Sequence, residues 1–250
     1  MPWKWYDSTV VKITDESPTT KRFWLELNGE EPFAFKAGQF ITMDLPISDK
    51  RLLRWRSYSI ANAPHEEDKL LEFCIVNMKG GAATHYLFET VQVGTALRFK
   101  GPDGAFTLKE GALEKDLVFV CTGTGVAPFR SMIWDIFQKQ LSHRNIHLIY
   151  GTRYVDNLLY RDEFERLQQE LPGFKYSVAV SREENIDPSA FPFEISKGYV
   201  HQLYLDQYAT PRPDIDFYLC GWSNMIDDAV ANLLVKLGFD KSQIHYELYG

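Results

Sequence analysis

The sequence predicts two domains, an N-terminal antiparallel β-barrel followed by an α/β domain with a parallel sheet. The first 108 residues carry many short strand-like segments separated by turn residues, which is typical of a barrel or sandwich. The rest of the chain alternates strand-like and helical segments, which indicates βα units. A length of 250 residues is comfortable for two domains. We therefore place the domains at residues 1–108 and 109–250.

Six strand-like segments and one helix make up the predicted barrel. The strands read STVVKITDES, TKRFWLEL, GQFITMDLP, RSYSIAN, LLEFCIVN and TALRFKGP. The helix is predicted around THYLFETV, where Tyr86, Leu87 and Val91 fall at helical spacing. The stretch TLKEGALEKD, at residues 107–116, is interpreted as a short connection to the second domain.

The second domain opens with the strand DLVFVC, the turn TGTGVAP and the helix FRSMIWDIFQKQL. The strand NIHLIYG, the helix DEFERLQQEL and the strand KYSVAVS follow. After a less regular stretch come the strand DFYLCG, the helix NMIDDAVANLLVKLG and the segment IHYELYG. This order of strands and helices predicts the parallel sheet.

Composition narrows the class of protein. A formal net charge of -7 argues against non-specific nucleic-acid binding. The three cysteines lie far apart without a CxxC pair, so we expect no metal site and a reducing compartment. The first residues lack an apolar signal-peptide core, and no run approaches the about 18 apolar residues of a membrane span. We expect a cytoplasmic monomer with no membrane span and no nucleic-acid partner.

A glycine turn in the second domain indicates a phosphate site. Gly123 and Gly125 lie between a strand and a helix, where glycine lets the main chain approach a phosphate closely. The helix start supplies free N–H groups, and Pro128 suits its first turn. Pro128 stands where the dinucleotide fingerprint has its third glycine. A tight βα connection without a ligand is therefore the alternative interpretation.

Two arginines follow neighbouring strands of the predicted parallel sheet. Arg153 ends one strand, and Ser181 with Arg182 ends another. Each arginine alone is typical of a solvated surface, but together they could clamp a 2′-phosphate, which favours NADP over NAD. Cys220 and Gly221 also end a strand, where ligands of open α/β sheets bind. Cys220 could equally be a small buried hydrophobe.

The stretch RSYSIANAP in the first domain combines positive charge with an aromatic ring. A structural strand needs no such concentration of charge beside an aromatic side chain. A bound molecule with phosphates at one end and a flat ring system at the other needs both. The residues concerned are Arg56, Ser57, Tyr58 and Ser59, which follow Arg51 and Arg54.

The order of motifs RSYS, GGAAT, GPDGAF, GTGVAPF, YLCGWSNM and YELYG resembles the ferredoxin–NADP reductase superfamily. The resemblance covers the chain from about residue 38 to residue 250. It implies an FAD-binding barrel followed by an NAD(P)-binding α/β domain, with FAD and NADP(H) as cofactors. It also implies that Arg56 binds the FAD pyrophosphate, that Tyr58 packs on the flavin and that Ser59 hydrogen-bonds near its reactive N5.

The segment KGGAATHYLFE is similar to the second FAD segment of this superfamily. The resemblance implies that Gly81, Ala82, Ala83 and Thr84 place N–H groups and the Thr84 hydroxyl on the pyrophosphate. It also implies that Ile75 and Val76, which precede this segment, contact the FAD ribose or adenine through the main chain.

In the second domain the resemblance implies that Thr124 and the turn from Gly123 to Pro128 form the loop that binds the nicotinamide nucleotide. It also implies that Cys220 lies near the nicotinamide. Tyr249 would cover the flavin face opposite Tyr58, with Glu247 as a nearby polar group. A frayed terminus is the alternative for Tyr249. The catalytic candidates are thus Ser59, Cys220, Glu247 and Tyr249. Two departures from the superfamily are Cys121, in place of a small residue, and Trp222, where proline is common.

The activity implied by the resemblance is electron transfer between NADPH and a one-electron carrier, ferredoxin or flavodoxin, through bound FAD. An acidic carrier would dock on a basic patch such as Lys50, Arg51 and Arg54. Three alternatives stay open. They are an NADH-dependent reductase component feeding an oxygenase, a reductase of diffusible flavin, and a non-catalytic FAD- or nucleotide-binding subunit.

Overall fold

The computed structural model describes residues 4–29, 31–65 and 69–249. The chain forms two compact units. The first comprises Met1–Thr107 and Ala127–Asp135, and the second comprises Leu108–Val126 and Ile136–Gly250. Residues 127–135, which the sequence analysis places in the second domain, therefore pack with the first unit.

The first unit is built on a six-stranded antiparallel sheet, and each strand falls on a segment that the sequence predicts. The strand order is β4-β3-β6-β1-β2-β5. The strands are β1 Trp5–Ser17, β2 Thr20–Leu27, β3 Phe40–Asp44, β4 Trp55–Ser59, β5 Leu70–Val76 and β6 Ala96–Asp103.

Alternation of side chains explains which face of this sheet is buried. In β2, Phe23, Leu25 and Leu27 face the core, while the residues between them are more exposed. The sheet curls towards a barrel because its two ends meet just beyond β4. There the Ala61 N–H donates to the Glu72 carbonyl of β5 at 2.8 Å. The first unit thus confirms the predicted antiparallel barrel.

Two helices connect strands of the first unit. The four-residue helix α1, Arg51–Arg54, buries none of its side chains. Helix α2, Ala82–Glu89, buries Ala83, Thr84 and Leu87 and overlaps the predicted helical segment THYLFETV. A third segment of helix in this unit comes from residues 127–135, which belong to α3.

The second unit is built on a six-stranded parallel sheet with the order β10-β9-β8-β7-β11-β12. Its four central strands are near-continuous buried runs, as expected for parallel strands, whereas the two edge strands are more exposed. The strands are β7 Asp116–Thr122, β8 Ile146–Thr152, β9 Phe174–Val180, β10 Glu194–Lys197, β11 Ile215–Trp222 and β12 Ile244–Tyr249. The helices are α3 Val126–Gln138, α4 Arg161–Glu170, α5 Val200–Gln207 and α6 Ser223–Ala231.

The strand order defines a switch point between β7 and β11. From β7 the chain moves outward to β8, β9 and β10, then returns to place β11 on the other side of β7. Ligands of open α/β sheets bind outside the carboxyl ends of the strands at such a point. No helix within the described residues is long and apolar enough to cross a membrane.

Candidate functional site

Strand β4 presents an arginine and a tyrosine on the same face. Arg56 and Tyr58 are opposite Met43 and Ile41 of β3, and both partners are fully buried core residues. Tyr58 packs against this core, and burial raises its pKa to about 12. Its phenol therefore stays neutral at physiological pH, so the side chain offers an uncharged aromatic ring beside a guanidinium.

The Arg56 guanidinium is anchored at the start of β4. Its Nη1 donates to the carbonyl oxygens of Trp55 at 2.7 Å and Leu53 at 3.0 Å. A guanidinium has five N–H donors in a planar fork, more than these two bonds use. The anchored fork is suited to a diphosphate, which it can bind through two parallel hydrogen bonds.

The two serines of the motif lie on the opposite face of β4 from Arg56 and Tyr58. Ser57 is exposed, and its Oγ is 3.0 Å from the hydroxyl of Thr42. Ser59, at the end of the strand, is 6% exposed. The Ser57 side chain points away from the arginine and tyrosine, so its predicted contact with the cofactor depends on its main chain.

The main chains of Ile75 and Val76, both predicted to contact FAD at the end of β5, point in opposite directions. The Glu72 carbonyl accepts from Ala61 N–H, and the Glu72 N–H donates to the Asn62 side chain. The carbonyl and the N–H of Glu72 therefore point away from β2. Because these directions alternate along a strand, the Val76 main chain also points outward, whereas that of Ile75 points to β2. The Ile75 side chain is buried in the core. The geometry thus favours Val76 for the predicted contact.

Helix α2 begins without a side-chain cap. Its N-cap residue is Gly81, where an added Cβ would lie 2.8 Å from the Thr84 hydroxyl. The first N–H groups of a helix, here those of Ala82 and Ala83, lack intrahelical acceptors and attract anions. The Thr84 hydroxyl accepts from Met78 N–H at 3.1 Å and donates within the same turn. It shapes the turn, so its predicted contact with the pyrophosphate stays a prediction.

The switch point of the parallel sheet is packed too closely for side chains. A Cβ at Gly125 would overlap the main chain of Cys220, at the end of β11. Gly221 has a φ of +147°, and a Cβ there would overlap the Thr122 hydroxyl. Glycine is therefore required at both positions, because the Cys220 main chain and the Thr122 side chain fill the space that a Cβ would occupy. This close packing holds the GTG turn against the end of β11 at the switch point.

The GTG turn continues directly into helix α3. Gly123–Gly125 form one turn of 3-10 helix, with Thr124 half-buried, and α3 starts at Val126. Pro128 is the third residue of the helix and is buried, so it contributes to the first turn as expected.

Two predicted catalytic residues lie beside Cys220. Glu247 of β12 is opposite Cys220 in the sheet register, and the Tyr249 side chain is near the Cys220 thiol. On the other side, Cys121 of β7 is opposite Cys220. Complete burial raises the pKa of the Cys220 thiol well above its ordinary value, and the neighbouring Glu247 acts in the same direction. Cys220 is thus a neutral, buried thiol rather than a nucleophile.

The last residues of the described chain form a strand rather than a frayed end. Tyr249 is the final residue of β12 and is opposite Trp222, whose side chain is 47% exposed. Trp222 stands where the superfamily often has proline, so an exposed indole replaces a small ring at the end of β11.

The predicted phosphate clamp lies at the carboxyl ends of β8 and β9. Ser181 N–H donates to Thr152 O at 3.0 Å, and Arg182 N–H donates to Arg153 O at 2.9 Å. These two bonds extend the pairing of the strands beyond their ends. Both arginine side chains are exposed, so the structure brings Arg153, Ser181 and Arg182 to one edge of the sheet.

A pocket of about 330 Å³, which the sequence analysis missed, opens beside this clamp. Tyr154, Ile186 and Phe191 give it apolar and aromatic walls, and carboxylates of Asp156, Glu183 and Asp187 also line it. Glu183 is held in place because its Oε2 accepts from Val155 N–H at 3.0 Å. The dipeptide Arg182-Glu183 was the available signal, because a carboxylate beside a phosphate-binding arginine can accept hydrogen bonds from ribose hydroxyls. The pocket suits the adenosine end of a dinucleotide.

Comparisons with known proteins agree with this geometry. Residues 7–108 match the oxidoreductase FAD-binding domain family, and residues 119–231 match the oxidoreductase NAD-binding domain family. The chain is 33% identical over 245 residues to the phenol hydroxylase P5 protein of Acinetobacter pittii (strain PHEA-2). That match covers 98% of this chain and 65% of the relative, so the chain spans about two thirds of its length.

Two further proteins are similar over almost the whole chain. Ferredoxin–NADP reductase B of Sorangium cellulosum (strain So ce56) is 28% identical over 249 residues, covering 98% of this chain and 97% of that protein. The crystal structure of Amycolatopsis cytochrome P450 reductase GcoB superposes with a TM-score of 0.85 at 28% identity. The superposition covers 99% of this chain and 70% of the GcoB chain.

The fold and the two matched domains define a class, the FAD-dependent NAD(P)H oxidoreductases. Within it, the chain belongs to the ferredoxin–NADP reductase superfamily. The superfamily and fold class predicted from the sequence are confirmed, as is the prediction of FAD and a nicotinamide dinucleotide as cofactors.

Proposed function

We propose that this chain accepts a hydride equivalent from NADPH and passes electrons to a separate one-electron carrier, ferredoxin or flavodoxin. The observation that carries the proposal is the shared face of Arg56 and Tyr58 on β4. That face combines an anchored guanidinium with a neutral aromatic ring, the two groups that a flavin dinucleotide needs. We also propose that the protein works as a monomer, which its elution on size exclusion would test.

The residues of the first unit fit FAD. The Arg56 fork and the uncapped start of α2 would bind the pyrophosphate, and the Tyr58 ring would pack on the flavin. Ser59, which lies on the same face of β4 as Ser57, would hydrogen-bond the ring near N5 through its main chain. Val76 would contact the ribose or adenine through its main chain. When bound, FAD supplies the chemistry that links a two-electron donor to a one-electron acceptor.

The residues of the second unit fit a nicotinamide dinucleotide. Gly125 and Gly221 would let its nicotinamide end approach the main chain at the switch point. Cys220, as a neutral buried thiol, would support the main chain on which the nicotinamide rests, and Glu247 and Tyr249 would orient the Cys220 side chain. Ser181 and Arg182, with Arg153, would bind the 2′-phosphate of NADPH at the pocket edge.

A second candidate function is the reductase component of an oxygenase, with NADH as the donor. It is favoured by the relative named as a phenol hydroxylase protein and by the P450 reductase structure. The carboxylates around the adenosine pocket also favour a ribose hydroxyl over a phosphate. This candidate shares the FAD site and differs in the donor and in the protein that receives the electrons.

Steady-state reduction of ferricyanide with NADPH and with NADH tests the proposed function. We expect turnover by the FAD-loaded protein and a lower KM for NADPH. The Arg182→Ala variant should raise the KM for NADPH much more than that for NADH, because only NADPH carries the 2′-phosphate. Equal increases for both nucleotides would contradict the phosphate assignment. A lower KM for NADH in the wild type would favour the oxygenase candidate.

A further inference from the structure

Helix α1 exposes two adjacent leucines. Leu52 is 80% exposed and Leu53 is 52% exposed. The helix buries none of its residues, so it contributes little to the core of the first unit. Large apolar side chains that stand together in solvent often mark a site of interaction. We name residues Lys50, Arg51, Leu52 and Leu53 the α1 patch.

The α1 patch is positively charged on a chain of net charge -7. Lys50 and Arg51 are both exposed. The Arg51 guanidinium lies over the Trp55 ring at 4.4 Å from its centroid, and the Lys100 Nζ lies at 4.3 Å from the same centroid. The indole thus holds positive charge beside the leucines, and the patch has an apolar centre with a basic rim.

The α1 patch is bonded directly to the predicted FAD arginine. The Leu53 carbonyl oxygen accepts from Arg56 Nη1 at 3.0 Å. The main chain of the α1 patch therefore contacts the guanidinium proposed for the FAD pyrophosphate, and Tyr58, proposed for the flavin ring, lies two residues further along β4.

We propose that the α1 patch docks an acidic iron–sulfur electron-carrier protein, with Leu52 as its apolar anchor. This inference rests on the proposed function. A basic rim attracts an acidic partner and orients it, while a central apolar side chain contributes most of the affinity. A membrane surface fits less well, because two leucines on a four-residue helix bury too little apolar area to hold a protein on a bilayer.

The test compares a protein acceptor with a small acceptor. The acceptors are a purified plant-type [2Fe–2S] ferredoxin, which is acidic, and ferricyanide, which needs no docking surface. The variants are Leu52→Asp, which places a negative charge at the anchor, and Leu52→Met, which keeps it apolar. Val235→Asp is the matched control, because Val235 is 84% exposed on the second unit. Both leucine variants should fold, since the side chain lies in solvent.

We expect Leu52→Asp to raise the KM for ferredoxin at least about tenfold and to leave ferricyanide turnover unchanged. Leu52→Met and Val235→Asp should behave as the wild type with both acceptors. Equal KM values for ferredoxin in Leu52→Asp and Val235→Asp would overturn the docking proposal. So would a wild type that reduces ferricyanide but not ferredoxin, or one that binds anionic phosphatidylserine vesicles through Leu52 instead. A wild-type protein that reduces neither ferricyanide nor ferredoxin would contradict the proposed function itself.

Discussion

Arg130 of α3 binds Glu72 of β5 through an Nη1–Oε2 contact of 3.1 Å, with both side chains almost completely buried. The other Glu72 oxygen accepts from Arg22 Nε at 2.6 Å. Arg130 Nη1 also donates to Ala61 O at 2.7 Å, two residues beyond Ser59. A residue of α3 thus fixes the main chain that follows β4, the strand proposed to bind the flavin.

Removing Arg130 should destabilise the protein strongly. The Arg130→Met variant leaves a buried carboxylate with one of its two arginines and the Ala61 carbonyl without this donor, so we expect a loss of about 3 kcal/mol in unfolding free energy. Urea unfolding measures this loss. The control is Arg166→Met, which breaks a half-exposed pair with Glu170 and should cost at most about 0.5 kcal/mol. Similar losses in the two variants would contradict a structural role for the buried pair.

A methyl group at Gly125 should disturb the nucleotide site. In Gly125→Ala the new Cβ would overlap the Cys220 carbonyl, so the turn or the end of β11 must shift. We expect a stability loss of about 1–3 kcal/mol and a higher KM for NADPH and NADH alike. Gly29→Ala is the control, because a Cβ there meets nothing within 4 Å. If Gly125→Ala kept the KM of the wild type, the turn would not form the nucleotide surface.

The Glu183 carboxylate should disfavour a 2′-phosphate in the adenosine pocket. Glu183→Gln removes the charge and retains an oxygen that can accept from Val155 N–H. We expect the ratio of kcat/KM for NADPH to kcat/KM for NADH to rise about fivefold, which corresponds to about 1 kcal/mol of repulsion. Glu184→Gln, outside the pocket lining, is the control. An unchanged ratio in Glu183→Gln would exclude this carboxylate from nucleotide selection.

Acid should destabilise the second unit through His147. Its Nδ1 is 2.7 Å from Tyr208 Oη and its Nε2 is 2.8 Å from Ser177 Oγ, and burial, with a smaller effect of Lys175, lowers its pKa from 6.5 to about 3. As the pH falls, His147 binds its proton at a higher pH in the unfolded chain than in the folded chain. The stabilisation that comes from neutral, buried His147 is therefore complete above pH 6.5 and is lost as the pH falls towards 3.

The loss attributable to His147 should be on the order of 5 kcal/mol between those limits. Urea unfolding at several pH values measures the slope. In His147→Gln the slope over this range should be shallower than in the wild type. The exposed His85→Asn variant should keep the slope of the wild type. A wild-type slope in His147→Gln would show that the histidine is not buried in its neutral form.

The strands that position the site could be predicted because their patterns are strong. Alternation in TKRFWLEL and the buried run of DLVFVC predict an antiparallel and a parallel strand, and both form. Strand β10 and helix α5 were not predicted. The four-residue strand EISK buries only Ile195, which is too short a pattern to detect. Val200, Leu203 and Tyr204 of α5 do have helical spacing, so that element could have been found.

Side-chain direction was the part of the site that sequence could not predict. The motif RSYS does not say that Ser57 turns to Thr42, away from Arg56 and Tyr58, because that depends on pairing with β3. Likewise, only the pairing of β5 with β2 distinguishes Val76 from Ile75. The pocket lined by Glu183 forms where residues 154–156 meet residues 183–191, so the dipeptide Arg182-Glu183 could mark the acidic residue but not the pocket around it.

Anaerobic addition of NADPH or NADH to the FAD-loaded protein, followed at the visible flavin absorption band, tests whether the chain is an FAD-dependent NAD(P)H oxidoreductase. We expect a yellow protein whose absorption is bleached by a stoichiometric amount of nucleotide. We also expect that Tyr58→Ala retains much less FAD than Tyr58→Phe. A protein that binds no FAD, or one whose bound FAD is bleached by neither nucleotide, would contradict the account.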